Sequence, residues 1–433
     1  MTRIYPVSLG CPKNRVDTEK LLAALLSRGV EVVLDPSQAD LLLVNTCAFV
    51  REAVEESIDT ILELAEEKRP SQRLVVIGCL VSRYREALLS ELPEVDLFLG
   101  IEAYRAPEEI LAPKSRYRLR LEGPEIPQRV LTESPFFAYL KITEGCRHAC
   151  TFCTIPRIRG PLRSLPEESL LQEAESLLKS GVKELILVGQ DVSAYGLDRG
   201  QRALVRLLKR LLELEGLSWL RLLYLHPEGI EEDLLDLLAR EKRLCPYLDL
   251  PVQHASPSVL KAMRRPYRPE EILRLLEKIR AEVPQVAVRT SIIVGFPGET
   301  ERDFLTLLDF LKAASFDHLG AFIYSPEEGT LAAKMPGQLS EEEKRARFEE
   351  VMLLQQEISA QRLRQRLGQE TEVLIEGLDE RGRLYGHARF QAPEVDGVTV
   401  IEKGEASPGD LVRVRLQEAG VYDLSAEVKE IIA

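Results

Sequence analysis

Short apolar runs alternate with amphipathic stretches along most of this chain, and that alternation restricts it to layered α/β architectures. Ile4–Gly10 reads as a strand and Thr18–Ser27 as a helix. Ala39–Thr46, Leu74–Gly78 and Leu97–Gly100 read as further strands, with a helix over Glu52–Lys68. Strands this apolar must be covered on both faces, which predicts a doubly wound parallel sheet. A second series has strand patterns at Ala138–Thr143, Glu184–Gly189, Trp219–Leu225, Tyr247–Val252, Val286–Val294 and His318–Tyr324. Six β/α repeats fall short of a full TIM barrel, so an open, partial (β/α)6 barrel is expected. Past a charged helix from Glu341 to about Arg366, short alternating runs lie between Gly, Pro and Asp turns. That is the pattern of a small OB-like β-barrel. The division expected is 1–111 for the first α/β domain and 112–136 for an irregular connector rich in Pro, Arg and Glu. The central barrel follows over 137–335, a linker helix over 336–367 and the tail barrel over 368–433.

Charge narrows the partners. The chain carries 57 basic and 70 acidic side chains, a net of −13. Phosphate affinity comes from Lys and Arg, so a whole-surface nucleic-acid binder is disfavoured. Residues 369–433 alone hold 14 acidic and seven basic side chains. No apolar run approaches the ~20 residues of a membrane span. Met1–Gly10 lacks the charged, apolar and cleavage regions of a signal peptide. A cytoplasmic protein without membrane partners, most simply a monomer, is expected.

Seven cysteines in such a chain point to metal or catalysis rather than disulfides. Cys146, Cys150 and Cys153 form a C-x3-C-x2-C run in TEGCRHACTFC, on the loop after the first strand of the barrel. Three close thiolates suit an iron–sulfur cluster, and a cubane held by three cysteines keeps one iron open for chemistry. Structural zinc with His148 as a fourth ligand is the competing reading. Cys11, Cys47 and Cys79 are far apart in sequence, yet each ends or follows a strand: SLGC, VNTC and VIGC. Sites in parallel sheets form at the carboxyl ends of strands, so the three are expected to converge on a second open cluster. The chain has only two Asn, and both sit beside these cysteines: Asn14 after Cys11, Asn45 before Cys47. Amide hydrogen bonds to loop backbone or cluster sulfur would account for them. Cys245 reads as a buried thiol, and His226, His318 and His387 as structural or surface histidines, because none has metal-ligand spacing.

KITEGCRHACTFCTIP resembles the signature of radical S-adenosylmethionine enzymes. Together with SLGCPKN, VNTC, IGC and the terminal β domain, it resembles the methylthiotransferase family from end to end. VGQDVSAYG, LLYLHPEG, YLDLPVQHAS, TSIIVGFPGETERDF and ARFQAPEVDG resemble the branch acting on an Asp of the small-subunit ribosomal protein numbered twelve. The resemblance implies a methylthiotransferase domain, a radical S-adenosylmethionine barrel and a TRAM domain in that order. It implies two 4Fe-4S clusters, one on Cys146, Cys150 and Cys153 that binds S-adenosyl-L-methionine, the other on Cys11, Cys47 and Cys79 that carries sulfur. It implies hydrogen abstraction from the β-carbon of the Asp by a 5′-deoxyadenosyl radical, followed by methylthio transfer.

The strand ends of the barrel should frame the cofactor. Phe152 is expected to shield the cluster or pack near adenine, and Gln190 and Asp191 to meet the methionine or ribose part. Gln253 and His254 are placed at the end of strand four, and Thr290 and Ser291 within strand five. Gly295 to Glu299 (GFPGE) is placed on the adenine side, with a plain βα turn as the alternative. The implied partners are a basic ribosomal protein, free or on the ribosome, which the acidic tail suits, and a reductase or flavodoxin-type electron donor. Methylthiolation of a tRNA adenosine is the alternative within the same chemistry. A non-catalytic iron–sulfur carrier or RNA-binding module is the alternative outside it.

Overall fold

A computed structural model describes residues 1–433. The first sheet is six-stranded and wholly parallel, in the order Glu31–Val32, Arg3–Ser8, Leu41–Thr46, Arg73–Gly78, Leu97–Leu99, Tyr117–Arg118. Both faces are covered. Leu42, Val44, Leu74 and Val76 pack into one apolar layer, and Leu41, Leu43, Val75 and Ile77 into the other. The strand order reverses between Arg3–Ser8 and Leu41–Thr46, which opens a crevice at their carboxyl ends.

Two details differ from the sequence pattern. The first helix spans Pro12–Leu26, starting six residues earlier than its apolar periodicity. Proline at N1 is already set for a helix, and Cys11 is the N-cap. The residues of the early turns are polar yet buried, Lys13, Asn14, Asp17 and Thr18 among them, because this face meets another module rather than water. The irregular stretch 112–136 contributes one strand, Tyr117–Arg118, to the sheet edge. It also supplies Arg129, which donates to Glu19 of the first helix and Glu173 of the central unit.

The central strands are Phe137–Lys141, Glu184–Val188, Trp219–Leu222, Tyr247–Asp249, Ala287–Val294 and His318–Ile323. They pair as two parallel triplets. A bridge between Leu220 and Leu244, and the Leu225 N–H donating to Asp249 O, join the triplets. The first and last strands are unpaired with each other, so the barrel is open. Side chains alternate as a strand requires. Ala138, Leu140, Leu185, Leu187, Leu220 and Leu222 face the helices. Phe137, Tyr139, Ile186, Val188, Trp219 and Tyr247 face inward.

The 24-residue helix Glu341–Arg364 leads to a closed five-stranded barrel in the order Glu370–Leu378, Leu384–Ala388, Thr399–Lys403, Leu424–Ile431, Leu411–Ala419. Its core is continuous with the inward face of the central barrel. The segment after Ala388 enters that interior. Glu394 accepts from Tyr139 Oη at 2.6 Å and from Arg15 at 2.6 Å. Asp396 accepts from Tyr247 Oη at 2.7 Å and from Arg289 at 2.8 Å. One loop thus touches all three modules. No helix is long and apolar enough to cross a membrane.

Candidate active site

Cys11, Cys47 and Cys79 follow three neighbouring strands of the first sheet and straddle its order reversal. Each thiol lies within electrostatic reach of the others. Gly10 makes the approach possible. Its φ is +86°, and a Cβ there would stand 2.6 Å from Cys47 Cβ and 2.8 Å from Cys47 Sγ. Both asparagines brace this cradle. Asn14 Nδ2 donates to Leu9 O at 3.0 Å and Thr46 O at 2.9 Å, while its Oδ1 lies 3.6 Å from Cys79 Sγ. Asn45 Nδ2 donates to Asn14 O and Thr18 Oγ1, both at 2.9 Å. Burial pushes the Cys47 thiol up and the Cys79 thiol up to about 12. Burial acts the same way on Cys11, but the charges of Lys13 and Arg159 outweigh it and hold that thiol below its ordinary value.

Cys146, Cys150 and Cys153 lie on one loop at the carboxyl end of the first barrel strand. The loop is pinned by Cys146 N–H to Gly160 O at 3.2 Å and by Thr151 to Met263 O and Ala262 O. The His148 backbone N–H points at Cys146 Sγ, 3.5 Å away. Burial raises the Cys146 thiol, and takes Cys153 to about 12. Arg265 brings a guanidinium whose charge neighbours are Tyr267 and these three thiols, and its buried Nε has no partner. His148 is not aimed as a fourth ligand: its Nε2 meets Asp191 Oδ2 at 2.8 Å and its ring stacks on His226, 4.2 Å between centroids.

One side chain joins the barrel segment that carries the second set to the first set. Arg159, six residues after Cys153, crosses to the first domain. Its Nη1 donates to Glu144 at 2.8 Å, and its Nη2 donates to Asn14 Oδ1 and lies 3.4 Å from Cys79 Sγ. Glu144 also accepts from Lys141 at 2.8 Å, and Lys141 pairs with Asp17. Burial alone would raise Glu144, but the two cations hold it far below the carboxylate range. Neither Arg159 nor Lys141 stood out in the sequence. An isolated charge shows its partner only after folding.

The remaining expected contacts separate. Phe152 packs on the cluster of Val259, Met263, Phe296 and Tyr324, against the GFPGE turn. Gln190 Nε2 reaches Glu144 at 3.4 Å, while its Oε1 is buried without a partner. Asp191 is held by His148 and by Ser193 Oγ at 2.5 Å. Gln253 sits at φ +66°, with its backbone bonded to Ser291 O and Ile293 N. Thr290 faces the helices: its Oγ1 donates to Leu250 O at 2.8 Å and accepts from Val252 N–H. The period of two puts Ser291 on the inward face instead. Gly295, at φ +72°, makes room for Lys344, whose Cγ would lie 2.4 Å from a Cβ. Glu299 accepts from Arg347 at 2.7 Å and from Phe296 N–H at 3.1 Å, inside the turn. The open space at Gly295 and the carboxylate of Glu299 are therefore taken by the protein itself.

The donor sets fit two iron–sulfur clusters. Each offers three free thiols, one set at three strand ends and the other on one pinned loop, with no fourth cysteine in either set. Known proteins agree in architecture and in sequence. The model for the radical SAM superfamily matches residues 140–311, that for uncharacterized protein family UPF0004 residues 3–100, and that for the TRAM domain residues 367–428. A ribosomal protein uS12 methylthiotransferase RimO of Trichlorobacter lovleyi is 46% identical over 441 residues, 99% of this chain and 98% of that protein. The RimO of Moorella thermoacetica is 46% identical over 438 residues, 99% of this chain and all of that protein. The chain belongs to the RimO methylthiotransferase family. Among solved structures, the radical S-adenosylmethionine methyltransferase TsrM of Kitasatospora setae shares the fold, with a TM-score of 0.56 at 16% identity over 77% of this chain and 74% of that one. Against this RimO-family fold, sequence reasoning missed Lys13, Lys141, Arg159 and Arg265. All four are cations whose charge neighbours include cluster-site thiols or the carboxylates beside them.

Proposed function

We propose that this chain adds a methylthio group to the β-carbon of an aspartate in ribosomal protein uS12. The observation that supports this most is the pair of open three-thiol sets on two modules that Arg159 ties together, reaching from Glu144 of the barrel to Cys79 of the first set. Cys146, Cys150 and Cys153 would hold one 4Fe-4S cluster with S-adenosylmethionine, and Cys11, Cys47 and Cys79 the other. Bound there, the cofactors supply one-electron cleavage of a sulfonium to attack an unactivated C–H bond, and the sulfur and methyl to be transferred.

The protein's part is to bind, orient and exclude water. The Glu144–Arg159–Lys141–Asp17 network is buried and fixes the first domain against the barrel. Phe152 closes the cluster loop against the GFPGE turn, and Asp191 with His148 stiffens the strand-two end. The acidic tail barrel suits a basic protein better than a phosphate backbone. The enzyme works in the cytoplasm as a monomer, and its electron comes from a reductase or flavodoxin-type donor. Anaerobic reconstitution tests the reading. Two clusters are expected, and replacing Cys11, Cys47 and Cys79 by Ala should remove one while 5′-deoxyadenosine production from S-adenosylmethionine persists. Reduced wild type that yields no 5′-deoxyadenosine contradicts the reading.

A further inference from the structure

The charges at the interface between the first domain and the barrel are paired, with one exception. Lys20 has Glu173 at 2.7 Å, Lys141 has Glu144 at 2.8 Å, and Arg159 has Glu144 at 2.8 Å. Lys13 is 8% exposed and has no carboxylate within 4.0 Å, the limit within which the other ion pairs fall. Its ammonium has three donors. One reaches Gly189 O at 3.4 Å, and the group sits 3.7 Å over the ring of Tyr224. Thr143 Oγ1, which stands where a Cβ of Gly189 would be, and Oε1 of the next residue, Gln190, are buried without partners. Tyr224 is held at φ +57°, a strained setting for a non-glycine residue, and strain of this kind concentrates at ligand clamps. Lys13 follows Cys11 by two residues and reaches the ends of barrel strands two and three. It therefore spans from one thiol set to the barrel mouth. The charge neighbours that favour its ammonium are Tyr224, the Cys11 thiol and Glu144, none of them a carboxylate at ion-pair distance, so the ammonium keeps donor capacity for an incoming anion.

We propose that Lys13 is the receptor for the side-chain carboxylate of the substrate aspartate, making it a specificity-determining residue. This rests on the aspartate reading of the reaction given above. Pairing the carboxylate with the Lys13 ammonium fixes the adjoining β-carbon between the first thiol set and the barrel mouth. It also selects Asp over Asn, because a neutral amide brings no charge to the ammonium.

The test uses full-length protein with both clusters reconstituted, and purified uS12 carrying either Asp or Asn at the modified position. Binding is read as Kd by anaerobic titration, and iron content and the visible cluster spectrum are read on the same samples. Wild type should favour Asp over Asn. Lys13→Met should raise the Kd for the Asp form by about 30-fold or more, the low end for removing one partner of a buried charge pair. It should also erase the Asp over Asn preference with iron content retained, and Lys13→Arg should restore part of it. An unchanged preference in Lys13→Met, with Lys13→Gln agreeing, overturns the proposal. So does a loss of affinity that tracks loss of the cluster at Cys11, which would make Lys13 only a counter-charge to that thiolate. Wild type that ignores Asp-bearing uS12 but modifies tRNA overturns the aspartate reading itself, and is recognised because it fails before any substitution.

Discussion

Single side chains carry the link between the first cysteine set and the barrel, and Arg159 carries most of it. It is 5% exposed and shared by Glu144, Asn14 and Cys79. Arg159→Ala leaves Glu144 buried with Lys141 as its only cation, and removing one partner of a buried pair costs about 3–5 kcal/mol. A lower midpoint in anaerobic thermal unfolding, with a marked drop in iron bound at the Cys11, Cys47 and Cys79 set, is the expected outcome. Unaltered iron content would show that the guanidinium is dispensable there. The cysteines were legible in the sequence because their spacing, or their place at strand ends, is itself the chemical pattern. Asn14 and Asn45 were legible through scarcity, and the structure makes them the brace of the cradle. Thr290 illustrates the limit. Knowing that a residue lies in strand five does not say which face it takes, and a shift of one position exchanges it with Ser291.

At the level of elements, the strand–loop–helix unit Arg3–Leu26 explains why the first set can form. The loop must turn at Gly10 while Cys47 stands against it. Gly10→Ala adds a Cβ at a positive φ and 2.6 Å from Cys47 Cβ. A cost of about 1–3 kcal/mol is expected for the backbone strain alone. The cluster at Cys146 should remain while that at Cys11 is lost, which metal analysis against a Cys146→Ala control will separate. Equal retention of both clusters would show that the loop can yield. The β/α order was readable from apolar runs, and both sheets and the tail barrel formed as the alternation requires. The early start of the helix Pro12–Leu26 was not readable. Its first turns are polar, and a polar face is buried only when other parts of the chain supply countercharges, here Lys141 of the barrel and Arg129 of the connector. Periodicity reports faces that meet a core and is silent about faces that meet another module.

Over the whole molecule, the tail barrel is docked on the inward face of the central barrel through buried charge. His387, 1% exposed, joins Glu184 of barrel strand two to Glu376 at 2.7 Å. Burial works against its charged form, but Glu184 and Glu376 prevail and raise its pKa above 6.5. A raised folded-state value means the stabilisation is complete below about 6.5 and is lost as pH climbs through the raised value. Anaerobic thermal midpoints of the wild type should therefore fall as pH rises above 6.5, and His387→Gln should flatten that decline. Parallel declines in both proteins would place the titrating group elsewhere. The same docking brings the acidic tail, the open barrel and the first domain into one body. The central claim is that this body methylthiolates a protein and not an RNA. Its most direct test is mass spectrometry of purified uS12 and of tRNA, incubated together with reconstituted enzyme, S-adenosylmethionine and reductant without oxygen. The expected result is one methylthio group replacing one hydrogen on a single aspartate of uS12, with tRNA unchanged. Methylthiolated tRNA alongside unmodified uS12 would contradict the account.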